Sequence, residues 1–417
     1  MAQKKGALEG IKIANFSWVG VGPLTIRYLA ASGATVVRVE SHTRPDVLRL
    51  MMPYKDKQPG VDRGPWFAEV NNSVRSVSID LGKPTGRAIA WKLIMWADVM
   101  AESFVPGTMK KWGLDYDNVR QKKPDIIYLS TCQMGQSGPY ANFSGFGYQA
   151  AAIGGFTYVS GWPDRTPAPT QGAYTDFIAP RFGATAIMAA LDYRRRTGKG
   201  QYLDQSQFET SAHFLAAPIM DYEVNNRVLE RSGNHVDYAA PHAAYPCKGD
   251  DRWVAISIFT DAEWQDFCLT LDKPEWLDDP RFATLLARKE NEDELDRQIA
   301  GWTVDRTAEE VEVMMQDAGI AASVVNSVKD IIEDPHLKSQ NFLRTYNHSV
   351  VGPHLYRALC HRLSKTPDTM GPGPALGEHN EYVFKELLHL TDDEVADGLV
   401  EGGITTEANL PEFKPTL

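Results

Sequence analysis

The sequence predicts an α/β fold: a doubly wound parallel sheet in its first third, with a second, smaller α/β domain further along. Three observations carry this expectation. Residues 10–40 read as a strand-turn-helix-strand unit, the pattern repeats to about residue 131, and 417 residues are too many for one ordinary core.

Gly10 to Phe16 alternates as a strand does, and Gly20, Gly22 and Pro23 punctuate a turn before a helix over Leu24 to Ser32. Gly33 closes that helix, and Ala34 to Glu40 is a β-branched strand. Ser76 to Asp80 reads as extended, Lys83 to Trp96 as helical, Val99 to Ser103 as extended, and Asp125 to Thr131 as another strand. Small and apolar residues at helical spacing mark a helix from Pro180 to Arg196. Its basic end and Gly198 suit a helix C-terminus better than an anion site. A second long helix is expected over Gln205 to Val224. Beyond Asn225, a strand at Arg252 to Ile258 and helices at Ala262–Leu271, Glu290–Trp302 and Ala308–Ala318 form the smaller domain. After Pro335 the chain turns extended and loop-rich, with a final helix near Asn380 to Leu388. The expected boundaries are 1–224, 225–335 and 336–417.

A net charge of -11 disfavours nucleic-acid binding and leaves any anionic ligand dependent on a local basic pocket. The four cysteines, Cys132, Cys247, Cys268 and Cys360, lie far apart with no CxxC pair, and the histidines show no paired metal spacing, so no metal is expected. No segment approaches eighteen apolar residues and the N-terminus has no apolar h-region, so the expected location is the cytoplasm, with no membrane partner. The first turn offers Gly20 and Gly22 and then no glycine until Gly33. That fails GxGxxG and argues against NAD or FAD.

The most promising nucleophile is Asp176, at the end of the run Pro169 to Asp176 and just ahead of the long helix. The residues alone favour a helix N-cap for this carboxylate, and the readings are partly compatible, because positive potential at a helix N-terminus keeps a carboxylate ionised.

Six stretches in order resemble the class III CoA-transferase family, which includes formyl-CoA, carnitine and benzylsuccinate CoA-transferases. They are Leu8 to Ile13, Gly33 to Glu40, Arg75 to Leu81, Ala97 to Gly107, Arg196 to Gln201 and Leu376 to Asn380. The resemblance implies a Rossmann-like large domain built from both chain ends, a small domain inserted between them, and two interlocked subunits, identical or paralogous. It implies ping-pong chemistry in which Asp176 attacks an acyl-CoA thioester and is carried through a mixed anhydride and an aspartyl-CoA thioester. CoA thioesters are then substrates, with no permanently bound cofactor. The implied CoA contacts are Trp18, Val21, Arg75, Ile79, Ser103, Phe104 and Lys111. Gly20, Tyr148 and Tyr174 are placed at the substrate, and backbone donors near Gly145 or Gly147 at the oxyanion.

The chain departs from formyl-CoA transferase in having Trp18 and Gly20 where that enzyme has His and Gln, and Ser103 in place of Asn, which disfavours formate and oxalate. Ser257 to Ala262 replaces a glycine-rich lid without a glycine. Succinyl-CoA is the expected donor. The aromatic side chains of Trp18, Phe146, Tyr148 and Tyr174 around the gap at Gly20 point to an aryl-substituted succinate, such as the benzylsuccinate of toluene degradation, with carnitine-like acids next. Two alternatives stand beside this: a CoA-ester racemase or isomerase of the same fold, which would need a His/Asp pair, and a noncatalytic subunit of a heteromeric transferase.

Overall fold

The computed structural model describes residues 5–143, 145–170 and 173–406. The chain divides into two compact units. The larger comprises Met1–Thr157, Pro169–Val228 and Lys338–Leu417, and the smaller Tyr158–Ala168 and Leu229–Leu337. Segment 158–168 thus joins the smaller unit, away from its sequence neighbours.

The larger unit is built on six parallel strands: β1 (Lys12–Asn15), β2 (Thr35–Glu40), β3 (Arg75–Ser78), β4 (Val99–Glu102), β5 (Ile127–Cys132) and β6 (Gln201–Ser206), in the order β3-β2-β1-β4-β5-β6. Strand alternation supplies both cores. Ile13, Val36, Ile127 and Leu129 face one side and pack with helix α1 (Val21–Ala31), while Ala14, Val37, Ile126 and Tyr128 face the other and pack with α2 (Pro84–Trp96). The order reverses between β1 and β4. In a parallel sheet that break leaves a crevice outside the strands' C-terminal ends.

Helix α3 (Gly147–Ile153) precedes α4 (Tyr174–Thr197), which packs on α1 and ends in left-handed Gly198 at φ 72°. Its terminal Arg194 donates to Asp98 at 2.8 Å and also pairs with Asp125, while Arg195 and Arg196 pair with Asp192. These charges are spent on helix-end contacts. The helix begins six residues before the expected Pro180. That proline sits inside it and withholds the N–H that would bond the Asp176 carbonyl. The long helix expected over 205–224 is instead the end of β6 followed by α5 (Gln207–Phe214) and α6 (Ala216–Asn225), broken at Leu215.

In the smaller unit, β7 (His242–Pro246), β8 (Trp253–Ser257) and β9 (Ala321–Val324) form an antiparallel sheet. Against it pack α7 (Asp261–Thr270), α8 (Glu292–Thr303) and α9 (Ala308–Asp317) around Trp264, Phe267, Phe282 and Ile299. The glycine-free segment after β8 is pinned: Thr260 caps α7 reciprocally with Glu263, whose carboxylate also accepts from Phe259 N at 2.6 Å.

The stretch expected to be loop-rich contains the antiparallel hairpin β10 (Leu343–His348) and β11 (Gly352–Arg357), and α10 (Asp392–Val400) adds a helix beyond the expected one. The expected final helix is present as a π-helix at Tyr382–Leu387, with Leu388 N bonded five residues back to Val383 O. Residues 377–404 also finish the sheet's edge. Ser78 N donates to Asn380 Oδ1 at 2.8 Å, Ser76 N to His379 Nδ1 at 3.3 Å, and Ile79 bridges Ile404. Among the described residues no helix is long and apolar enough to cross a membrane.

Beneath the crevice lies a buried group of charges. Arg38 and Asp46, each 0% exposed, are bonded at 2.7 Å, and Glu40 is bonded to Arg49 at 2.8 Å. Asp46 also accepts from Leu48 N at 2.9 Å and Val19 N at 3.0 Å. Removing one partner of such a pair leaves an uncompensated charge in the interior. Asp46→Asn should therefore cost about 3–5 kcal/mol in urea unfolding monitored by circular dichroism.

Candidate active site

The segment leaving β1 carries the first parts of the site. Val19 has φ 62°, a left-handed conformation costly for a β-branched residue, and Asp46 holds its N–H there. Ser103, just past β4, fixes the neighbour: its Oγ accepts from Trp18 N at 2.7 Å and donates to Trp18 O at 3.2 Å. The two strands flanking the switch point are thereby tied together at their C-terminal ends.

This turn brings Gly20 against Asp176. A Cβ at Gly20 would lie 2.9 Å from Asp176 Oδ2, and one at Gly147 would lie 2.5 Å from the same oxygen. A side chain at either position would displace the carboxylate, and Asp176 Oδ2 occupies the gap between them. The vacancy expected at Gly20 is therefore taken up by the carboxylate. Asp176 Oδ1 accepts from Gln207 Nε2 at the start of α5, and the same amide nitrogen lies 2.9 Å from Thr175 Oγ1.

Asp176 is not the N-cap. Ala173 holds that position, Asp176 lies in the first turn of α4, and no strand precedes it among residues 160–170. Gln171 and Gly172, part of the run that drew attention to it, lie outside the described residues. Burial raises the Asp176 carboxyl from 3.8 to about 6, and the Gln207 hydrogen bond holds it from going higher. The helix N-terminus, worth about 0.3–1 kcal/mol, is outweighed by desolvation.

Around Asp176 is a cavity of about 190 Å³ lined by Trp18, Val21, Ser103, Thr131, Phe146 and Gln207 among others, with no Lys, Arg or His among the described lining residues. Beside it, and sharing Trp18, Ser103 and Phe146, runs a cleft of about 610 Å³ lined by Ile79, Phe104, Thr108 and Trp112, with Arg44 as its cation. Arg44 lies over the Trp18 ring at 5.9 Å. Phe104 packs edge-on to Trp112 at 5.4 Å, and its N–H donates at 2.7 Å to buried Glu102, whose carboxyl burial pushes up to about 7.

Seven of the eleven residues singled out from sequence thus line these two spaces: Trp18, Gly20, Val21, Ile79, Ser103, Phe104 and Asp176. Four do not. Arg75 opens β3, at the end of the strand opposite the crevice, with its guanidinium 5.0 Å from the Tyr382 ring, because a strand's first residue cannot reach a crevice at its last. Lys111 is exposed at the end of the short Thr108–Lys111 helix, whose Thr108 faces the cleft instead. Tyr148 is exposed in α3, and Tyr174 packs edge-on to Phe156 at 5.2 Å. Of the Gly145–Gly147 segment, Phe146 N is engaged by Gln149 Oε1 at 3.0 Å, while Gly147 opens α3, whose first N–H groups lack intrahelical acceptors. Sequence reasoning passed over Gln207 because the helix expected from Gln205 hid the strand end that aims it. It passed over Arg44 and Asp46 because they stand in the segment after β2, outside any motif. Among the described residues no group of three or more His, Cys, Asp or Glu is placed to hold a metal ion.

A buried carboxylate beside the C-terminal ends of β1 and β4 in a Rossmann-like sheet, with a second cleft adjoining its cavity, is the candidate active site. The family described as CoA-transferase family III matches residues 8–380, and the chain belongs to it. It is accordingly a class III CoA-transferase, acting on CoA thioesters and carboxylic acids. It is 32% identical to the succinyl-CoA–D-citramalate CoA-transferase of Chloroflexus aurantiacus over 93% of this chain and 96% of that one. It is 30% identical to the succinyl-CoA–L-malate CoA-transferase beta subunit of the same organism, over 94% and 96%. Among solved structures, a CAIB/BAIF family protein from Brucella suis superposes with a TM-score of 0.84 at 28% identity, over 92% of this chain and all of that one.

The raised Asp176 carboxyl has a consequence for stability. Below pH 3.8 the group is protonated whether folded or unfolded; between 3.8 and about 6 only the unfolded chain ionises, so folding loses stability as pH rises, by about 3 kcal/mol above pH 6. Asp176→Asn should therefore melt higher than the parent at pH 8 and level with it at pH 4, read by differential scanning calorimetry.

Proposed function

We propose that the enzyme moves CoA from succinyl-CoA to a four- or five-carbon dicarboxylic acid by ping-pong chemistry through Asp176. The observation that carries this is the placement of Asp176 Oδ2 in the gap between Gly20 and Gly147, at the wall of the cavity, while Oδ1 is held by Gln207. Oδ2 attacks the thioester carbonyl carbon, the C–S bond breaks, and CoA thiolate leaves a mixed anhydride on Asp176. The first-turn N–H groups of α3 would receive the developing oxyanion. Thiolate then attacks Asp176 Cγ, the Cγ–Oδ2 bond breaks, and succinate departs from an aspartyl-CoA thioester. The acceptor carboxylate attacks Cγ in turn and releases thiolate, which takes the acceptor's acyl carbon and restores the free carboxylate.

The CoA moiety is assigned to the neighbouring cleft, with the pantetheine chain along Trp18, Phe104 and Trp112 and a phosphate at Arg44. The short dicarboxylic acceptor rests on the relatives' citramalate and malate, and the aryl succinate is its competitor, since Tyr148 and Tyr174 stand outside the cavity lining. We also assign the working enzyme two interlocked subunits. The exposed apolar side chains of α5 and α6 support this, among them Phe214, Ile219, Met220 and Val224, as does the absence of any buried residue in α6. Relatives named as alpha and beta subunits make a paralogous partner as reasonable as an identical one.

The test is incubation with succinyl-CoA and an equimolar panel of acids, with product CoA esters read by mass. Citramalate, malate or glutarate should be converted well ahead of benzylsuccinate, carnitine, formate and oxalate. Asp176→Ala should abolish turnover with the fold intact, and wild-type kcat/KM should rise with pH through about 6 as the carboxyl ionises. A folded Asp176→Ala variant of near-parental activity would remove the assignment. For the cleft, Arg44→Ala should raise KM for the CoA ester several-fold with little change in kcat, and Arg75→Ala should leave both unchanged.

A further inference from the structure

We propose that Gln207 is a catalytic residue: its side-chain amide is the oxyanion donor for those steps in which Asp176 is itself the acyl group under attack. This rests on the reading of Asp176 as the covalent nucleophile. In that cycle two tetrahedral centres form on the substrates' carbonyl carbons and two on Asp176 Cγ. In the latter pair, negative charge develops on the aspartyl oxygen that does not carry the leaving group.

The geometry assigns that oxygen. Oδ2 lies in the gap left by the two glycines, so it is the atom that bonds to the incoming acyl group and later departs with it. Oδ1 stays with the aspartyl residue throughout, and Gln207 Nε2 already donates to it. When thiolate attacks Cγ, the π electrons of the Cγ–Oδ1 bond move onto Oδ1. They return as the Cγ–Oδ2 bond breaks and the carboxylate leaves. A donor within hydrogen-bond reach before, during and after this excursion has nothing to reorganise.

Three features fit Gln207 to this task. An ionised carboxylate only accepts, so the amide must turn its nitrogen toward Asp176, and Thr175 Oγ1 at 2.9 Å receives from that same nitrogen. Gln207 is 4% and Thr175 0% exposed, so water competes poorly for Oδ1. The amide is neutral and the described lining residues of the cavity include no cationic side chain, so this contact stabilises a transient charge without holding the resting carboxylate as strongly as an ion pair would.

A merely structural glutamine would slow every step alike, whereas an oxyanion donor at Oδ1 acts on the Cγ steps. The experiment mixes wild type and Gln207→Met with succinyl-CoA at pH 8, where Asp176 is ionised. It quenches with acid on the millisecond scale and weighs the peptide containing Asp176. In Gln207→Met, succinylated Asp176 should appear within about tenfold of the parental rate, while aspartyl-CoA forms about 10²–10³-fold more slowly, so that the anhydride accumulates. Aspartyl-CoA formed at the parental rate, or both adducts slowed equally, would overturn the proposal. Absence of either adduct from wild type would instead overturn the Asp176 reading beneath it. Should the methionine variant not fold, Gln207→Asn, which withdraws the amide by one methylene, is held to the same outcomes.

Discussion

Everything around the Asp176 carboxylate depends on how Asp46 is bonded. Its Oδ2 takes both the Arg38 guanidinium and the Val19 N–H, and both acids and bases of this group are removed from water. Desolvating several charges is expensive, and only close pairing and full hydrogen bonding offset it. Arg49 is held on one side by Glu40 and on the other by Asp62, with the Phe67 ring 3.4 Å from its guanidinium. The group fixes a backbone shape that Val19 would not adopt by itself, and that shape delivers Gly20 to Asp176.

From this constraint the chemistry of the carboxylate follows. Glycine at two facing positions lets the backbone close on Asp176, and closeness means dehydration. Dehydration raises its affinity for a proton from the ordinary acidic range toward neutrality. A carboxylate that has surrendered part of its water shell is a better nucleophile than a fully hydrated one, provided it remains ionised. The Gln207 amide keeps the balance on the ionised side near neutral pH. One neutral donor, two absent side chains and a helix end that contributes less than burial set its affinity for a proton.

The fold was legible where the code is local. Alternation over Gly10 to Phe16 and β-branching over Ala34 to Glu40 predicted strands, and within them Ile13 and Val36 go to one core and Ala14 and Val37 to the other. Pro180 misled because proline usually opens a helix, yet here the preceding turn is held from outside, with Gln205 Nε2 bonded to Ala179 O at 2.7 Å. The hairpin of β10 and β11 was missed because its strands expose one face and carry mixed polar residues, leaving little periodic signal. In the site, Trp18, Gly20 and Ser103 were found because each follows a recognisable strand, and Asp176 because it stands at the head of a long helix. Arg75 was misplaced because a motif gives an address in the chain but not the end of the strand on which it stands. Gln207 and Arg44 depend on tertiary placement alone.

The edge of the parallel sheet at β3 is sealed by residues that lie 302 positions later in the chain, through the bond from Ser78 to Asn380. At ribosomal speed that separation is about 15–60 s, during which the strand has neighbours on one side only. A strand edge left unpaired is a template for the wrong chain, and this one stays uncovered until Asn380 has been made. A premature stop before residue 377 would therefore leave the sheet open along β3, beside the cleft that Ile79 lines.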